Sequence, residues 1–237
     1  MHLTRLPIPE RIRRLWRPLR DDRSGLALME FALAFPILLT AGLTAVDVTN
    51  MAVVHMKVSQ IALNLADNMS RMGTNNSLSS QQVREIDVND AFEAVRDQGA
   101  GIRLVNNGRV ILSSLENASG TQRIHWQRCI GLKSGTGYDS SYGTTAITDG
   151  IDATAANQGP TASSGMGDAG SQVTAPLGAG VMFVEVNYLH TPYFRFLFSP
   201  SRIHYIASFI VRDTRDFRQI YNPNPAATRA TCNNYGT

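Results

Sequence analysis

The chain has 237 residues and a formal net charge of +3, which is enough for one ordinary domain plus a helical stalk but thin for two full domains. The basic excess lies in residues 1–24, where seven arginines stand against three acidic side chains, so the sequence does not predict a nucleic-acid-binding surface spread over the fold. The two cysteines are too few for a disulfide-rich scaffold, or for a structural zinc site without histidine ligands.

The first predicted element is an apolar helix at residues 26–46. Its 21 residues carry one charge, Glu30. At ~1.5 Å per residue the helix spans about 30 Å, the thickness of the hydrocarbon core of a bilayer. The basic leader, residues 1–25, precedes it, and the positive-inside rule keeps such a segment in the cytoplasm. We therefore predict a single-pass inner-membrane protein whose C-terminal domain is periplasmic or extracellular.

A cleaved secretory signal is the alternative interpretation of this segment, because such a signal also has a basic region followed by an apolar stretch. Its small-x-small cleavage site would have to lie at residues 40–42 or 43–45, and neither fits the pattern well. The apolar stretch is also long for a signal sequence. These two points favour a helix that stays in the membrane.

Gly25 and Glu30 stand at informative positions around the start of this helix. A peptidase that cut between Gly25 and Leu26 would leave a positive amine on Leu26, and Glu30 would be the fifth residue of the new chain. Positions one and five of a helix share a face, so the amine and the carboxylate would pair within one subunit or between neighbours stacked in a filament. The plainer alternative is that Glu30 lies at interface depth and is only tolerated there.

The same residues resemble a known leader junction. Arg23-Ser24-Gly25, followed by the run LALMEFAL from Leu26, is similar to the junction of TadE-like pseudopilins, which belong to the tight-adherence (Flp) pilus machinery. The similarity continues through Phe31 to Pro36 and is dense over residues 23–50. The resemblance implies that a prepilin peptidase cuts after Gly25 and that Glu30 and Phe31 act in assembly and subunit register.

The resemblance further implies a minor pseudopilin, a structural protein without enzymatic activity. Its expected partners are the inner membrane, a prepilin peptidase, and other pilins, pseudopilins and pilus assembly proteins. Leu26 is bulkier than the family pattern leads us to expect, so an uncleaved bitopic scaffold of the pilus secretion machine stays an alternative. An anchored enzyme or ligand-binding domain is a further alternative. Pro36 predicts a helix kink, which would serve packing or extraction from the bilayer.

The helix is predicted to continue outside the membrane through residues 47–72. Its apolar residues recur at steps of three and four, the period of a helical stripe, and Gly73 marks the end. The stripe predicts contact with the globular domain or, alternatively, with a second helix. Its members are Met51, Val54, Val58, Ile61, Leu65, Met69 and Met72.

The exported domain, residues 73–237, is predicted to be α+β. A helical pattern begins at Ser79 and ends near Gly99. A hairpin is predicted over residues 102–113, with its turn at residues 106–108, because Asn-Gly is a strong hairpin signal. Further strands are predicted at residues 122–130, 181–189 and 203–211. We expect a pilin-like fold, a long N-terminal helix packed on an antiparallel β-meander, with a mobile Gly/Ser/Thr-rich surface loop at residues 133–180.

Motifs that carry chemistry are not found in the sequence. It lacks GxSxG, HExxH and a phosphate-binding glycine loop, and its histidines are scattered, so we expect no catalytic residue, cofactor or metal site, and no nucleic-acid partner. Cys129 and Cys232 would face an oxidising space in the predicted topology, which favours a disulfide between them. Two free thiols in a cytosolic domain are the alternative.

Overall fold

The computed structural model describes residues 24–73 and 80–235, which divide into two units, one ending at Val48 and the other beginning at Thr49. Helix α1, Ser24–Arg71, contributes to both units. The leader predicted at residues 1–25 and the start of the second helical pattern at Ser79 lie largely outside the described residues.

The second unit combines helices with a four-stranded antiparallel sheet, so the predicted α+β class is confirmed. The sheet order is β2-β1-β3-β4. In chain order the elements are α2 (Glu85–Gly99), a 3₁₀ turn (Ala100–Ile102), α3 (Leu104–Asn107), β1 (Gly108–Ala118), β2 (Thr121–Ile130), a second 3₁₀ turn (Ala155–Asn157), β3 (Gly180–His190) and β4 (Ser201–Ile210).

The predicted stripe on α1 forms the centre of the core. Val58, Ile61 and Leu65 are buried against one face of the sheet and against α2, which adds Val88 and Phe92. The sheet contributes alternate residues, because successive side chains of a strand point to opposite faces. They are Val110, Leu112, Trp126, Ile130, Met182, Val184, Val186, Tyr188, Ile203 and Ala207. The stripe therefore packs in the core of its own domain, which is one of the two contacts that the sequence predicts for it.

The C-terminal end of α1 is held by a buried arginine. Arg215 Nη2 donates hydrogen bonds to the carbonyl oxygens of Met69, at 2.8 Å, and Met72, at 2.6 Å. The last carbonyls of a helix have no partner within the helix, and a guanidinium satisfies them while suiting the negative end of the helix dipole.

The hairpin predicted at residues 102–113 is wrong. Its first half forms the 3₁₀ turn and α3, and only Gly108 begins a strand. A Cβ on Gly108 would lie 2.7 Å from the Asn187 carbonyl oxygen, so this glycine permits close backbone approach and does not form the turn. The hairpin turn is at Ser119 and Gly120, both at positive φ, which joins β1 to β2.

The strand order also departs from a simple meander, because β3 pairs with β1 and not with β2. The chain leaves the end of β2, crosses the second face of the sheet, and returns at Gly180. This crossing is the tract that was expected to be a mobile surface loop. It covers that face, and most of its residues are exposed or half-buried, but Met166 and Ala175 are buried against Phe183 and its neighbours.

Hydrogen bonds explain how this tract packs with few large apolar residues. Glu185 is buried on β3 and accepts hydrogen bonds from Ser140 Oγ at 2.5 Å and from the Ser141 amide at 2.9 Å. Gln127 on β2 donates to the Gly143 carbonyl and accepts from the Thr145 amide. The glycines of the tract allow close backbone approach, since a Cβ on Gly159 would lie 1.9 Å from the Ile124 carbonyl oxygen.

Candidate functional site

The residues predicted for processing and assembly all lie in the first unit, on helix α1. The described part of the helix starts at Ser24, and Gly25 and Leu26 lie within it. Leu26 and Glu30 are four residues apart and therefore share a face. Glu30 is exposed, and among the residues that the structure describes none makes a hydrogen bond or ion pair with it. This arrangement leaves the carboxylate available to a cationic partner.

Gly25 is not required by the helix in which it lies. Among residues 24–73 and 80–235, a Cβ added there would meet nothing within 4 Å, and Gly25 does not adopt a positive φ. A glycine inside a helix destabilises it by roughly 0.5–1 kcal/mol relative to alanine. The fold therefore gives no reason for glycine at this position. Gly42, on the same helix, is equally open and provides a matched comparison.

Phe31 and Pro36 lie on the next turns of the helix. The rings of Phe31 and Phe35 are 5.3 Å apart and tilted by 32°, an ordinary aromatic contact at i,i+4. Pro36 lies inside the helix and has no amide hydrogen to donate to the carbonyl of Ala32. Thr40 Oγ1 bonds to the carbonyl oxygens of Pro36, at 2.9 Å, and Ile37, at 3.0 Å. Such back-bonding and the proline both favour a bend here.

The large apolar side chains of this segment are exposed throughout, from Leu26 to Leu39. The helix is long and apolar enough to cross a membrane, with a mean hydropathy of 2.0 over its most apolar window, none of which is buried. Apolar surface on this scale is not stable in water and indicates contact with lipid or with other helices.

Cys129 and Cys232, in the second unit, form the predicted disulfide. It ties β2 to the irregular C-terminal segment. Buried Arg109 holds the same segment, because its Nη1 donates to the Asn234 carbonyl at 2.9 Å and its Nη2 to the Cys232 carbonyl at 2.6 Å. The guanidinium also lies 4.3 Å from the centre of the Tyr235 ring. The C-terminal segment is thus fixed both covalently and by a buried cation.

A buried ion pair beside this segment was not predicted from the sequence. Arg128 on β2 donates from Nε and Nη2 to both oxygens of Glu85, the first residue of α2. Their exposed fractions are 1% and 0%. Arg229 Nε, on the C-terminal segment, also donates to Glu85 Oε1 at 3.2 Å. Periodicity does not reveal such a pair, because Arg128 occupies a position where a strand normally buries an apolar residue.

A second buried pair lines a cleft of about 360 Å³ next to Phe217 and Arg218. His125 Nδ1 lies 2.6 Å from Glu116 Oε2. Burial lowers the pKa of His125, but the hydrogen bond and charge of Glu116 outweigh it and raise that pKa above 6.5. Ser114 Oγ donates to Glu116 Oε1 at 2.6 Å. The serine therefore faces a carboxylate and not the imidazole, so this cluster does not form a nucleophile–base pair.

Among the described residues, no group of three or more His, Cys, Asp or Glu side chains is placed to hold a metal ion. In comparisons with known proteins, no family model, curated protein or solved structure matched this chain.

Proposed function

We propose that this chain is a minor pseudopilin-like structural component of tight-adherence pilus biogenesis, anchored in the inner membrane and processed by a prepilin peptidase. The observation that carries the proposal is the exposed apolar run of residues 26–46, whose one carboxylate, Glu30, lies five positions after a glycine that the described part of the fold does not need. Gly25 and Glu30 fit the leader junction that the sequence resembles, and a peptidase that recognises glycine supplies the missing reason for Gly25.

The topology follows from charge. The arginines of residues 1–24 keep the leader in the cytoplasm, and the unit that begins at Thr49 is exported. The disulfide between Cys129 and Cys232 supports an oxidising compartment for that unit, because disulfides form and persist there.

Cleavage would give Glu30 a partner. A carboxylate in the middle of a bilayer costs roughly 2.5–3.5 kcal/mol on insertion scales, and less near the edge. The new amine of Leu26 would offset that cost within one chain or, across an interface, would align one subunit with the next. Glu30 thus becomes a register residue in the proposed filament, and Phe31 adds an apolar contact beside it.

Intact mass and N-terminal sequencing test the proposal directly, on protein from native membranes with and without the prepilin peptidase. We expect a chain that begins at Leu26 only when the peptidase is present. An intact leader in both strains would replace the pseudopilin with the uncleaved scaffold. A start near Val46 would mean a secretory signal, and the pilin proposal would fail.

Gly25→Ala sharpens this test. Because no atom of the described residues would contact a Cβ at Gly25, we expect the substitution to leave the helix intact or slightly more stable. We expect it to reduce cleavage at least tenfold, roughly 1.4 kcal/mol in transition-state terms. Gly42→Ala is the matched control, since it makes the same change on the same helix away from the junction. Equal processing of both variants would remove Gly25 from the proposed recognition site.

A further inference from the structure

The loop between β3 and β4, residues 191–200, exposes an unusual concentration of aromatic side chains. It reads TPYFRFLFSP, and Tyr193 and Phe196 are 69% and 74% exposed. The amides of Leu197 and Phe198 both donate to the Phe194 carbonyl, which forms one helical turn. The rings of Phe194 and Phe196 meet edge to face at 6.1 Å. This aromatic loop therefore has a defined shape although the rings of Tyr193 and Phe196 face solvent.

The aromatic loop projects from the end of the sheet at which the unit's helix segment begins. The β3–β4 ladder closes at the pair His190 and Ser201, just before the loop. Near that end, Tyr188 Oη donates to the Ile102 carbonyl at 2.8 Å. Lys57 Nζ lies 3.0 Å from where a Cβ on the adjacent Gly101 would be. Lys57 and the loop thus belong to the same end of the unit.

The opposite end of the helix segment confirms its direction along the sheet. Arg215 follows the end of β4 and caps the carbonyls of Met69 and Met72. Val211, just after β4, donates to the Gly180 carbonyl at the start of β3. Residues 49–71 therefore run from the end with the aromatic loop to the end where β3 begins.

The second unit begins at Thr49, which is covalently linked to the proposed membrane segment. The apolar run at residues 26–46 ends three residues before Thr49. Even a fully extended chain of this length spans only about 11 Å. If the run crosses the bilayer, the end of the unit that carries Thr49 is tethered to the bilayer surface.

The chemistry of this end suits an interface between lipid and water. Tyrosine and other amphipathic or aromatic side chains are favoured at headgroup depth, where rings meet acyl chains and polar groups meet water. Lys57, Arg103 and Arg195 place positive charge at the same end, partly offset by Asp97 and Asp139. Anionic headgroups attract such a basic surface.

We propose that residues 193–198 insert into the headgroup region of the bilayer that anchors the chain, giving the exported unit a second membrane contact besides its helix. The inference rests on the membrane anchoring proposed above and not on cleavage or pilus assembly. The partner is a lipid surface with anionic headgroups. The competing occupant is a second copy of the chain.

Spin-label accessibility measures the contact on the full chain. The protein is reconstituted into vesicles of phosphatidylethanolamine and phosphatidylglycerol in equal amounts, with the disulfide kept oxidised so that only an added thiol reacts. Phe196→Cys reports on the aromatic loop. Leu177→Cys is the matched control, because Leu177 is 73% exposed and precedes β3, at the opposite end of the sheet. Leu33→Cys reports on the anchor.

We expect the label at residue 196 to gain collisions with oxygen and lose most collisions with a water-soluble nickel complex, relative to residue 177. Equal nickel collisions at 196 and 177, with residue 33 protected, would overturn the loop proposal and leave the anchor standing. Nickel exposure at residue 33 would overturn both. Protection at 196 that disappears when the protein is diluted in lipid would assign the aromatic loop to contact between copies and overturn the lipid contact.

Discussion

At the scale of single residues, the buried charges explain how the second unit holds its irregular parts. Glu85, Arg128 and Arg229 join the start of α2, the middle of the sheet and the C-terminal segment. A buried ion pair adds little net stability over an apolar replacement, but removing one partner leaves an uncompensated charge. The buried charges therefore favour the one arrangement of these three elements in which each charge has a partner.

Arg128→Met tests this buried pair. We expect it to lower the free energy of unfolding by about 3–5 kcal/mol, because Glu85 would stay buried with only the partly exposed Arg229 beside it. Adding Glu85→Leu should recover part of the loss. Arg71→Gln, which breaks the exposed pair with Asp67, should cost less than about 1 kcal/mol. Urea unfolding in detergent measures all three, and equal costs for Arg128→Met and Arg71→Gln would contradict the role.

His125 gives the unit a pH dependence. Its folded pKa lies above the unfolded value of 6.5, so its charged form contributes stability that is complete below about pH 6.5 and is lost as the pH rises through the folded pKa. Near pH 6, we expect the free energy of unfolding of the wild type to exceed that of His125→Gln by about 1.5–3 kcal/mol. At alkaline pH this difference should shrink.

Comparing variants in urea at each pH isolates this contribution from other titrations. Burial raises the pKa of Glu185 and lowers that of His204, and both effects are present in wild type and variant alike. His55→Gln, which removes an exposed imidazole, is the control. A stability difference that stays constant with pH would show that folding does not shift the pKa of His125, and one that grows with rising pH would show that the folded pKa lies below the unfolded value.

At the scale of elements, α1 shows which features a sequence reveals. The spacing of Val54, Val58 and Ile61 predicts a buried stripe, because residues three or four apart lie on the same face of a helix and all three contact the core. Apolar periodicity does not predict how the tract at residues 133–180 packs on the sheet. Many of its contacts are hydrogen bonds between its short side chains or backbone and the side chains of Glu185 and Gln127. Its glycines allow close backbone approach, so its composition is that of a mobile loop.

In the candidate site, too, local features are predictable from the sequence and contacts between distant segments are not. Gly25 and Glu30 are visible in the sequence because their spacing and placement before an apolar run are local. The pairs Glu85–Arg128 and Glu116–His125 depend on which strands and helices become neighbours, and no local pattern encodes that. The disulfide was predictable because the chain has only two cysteines and the expected compartment is oxidising.

Glu30→Gln tests the proposed role of α1 between subunits. We expect at least about tenfold fewer assembled pili with unchanged protein levels, since a loss near 1.4 kcal/mol per subunit step gives a factor of ten. Glu93→Gln, an exposed carboxylate on α2, is the isosteric control and should assemble normally. Normal pilus assembly by the Glu30→Gln variant would contradict the register role of Glu30 and favour the uncleaved bitopic scaffold.

At the scale of the whole molecule, the disulfide closes a loop with a sequence separation of 103 and keeps the C-terminal segment on the sheet. A closure of that length stabilises a fold by up to about 4–5 kcal/mol in the entropic account. Replacing both Cys129 and Cys232 with serine should therefore lower the free energy of unfolding by up to that amount. Wild type treated with reductant should fall to the same value, and an unchanged melting curve after confirmed reduction would contradict the prediction.

The cap at Arg215 has a mechanical consequence. A tension applied at Thr49 along the helix axis would load residues 49–71 in shear against the sheet, because the helix runs along the sheet from the end near Tyr188 to the end near Arg215. Shear engages all the interlocked side chains at once, whereas peeling would break them one turn at a time. The second unit is therefore arranged to resist force transmitted through its own helix segment, residues 49–71.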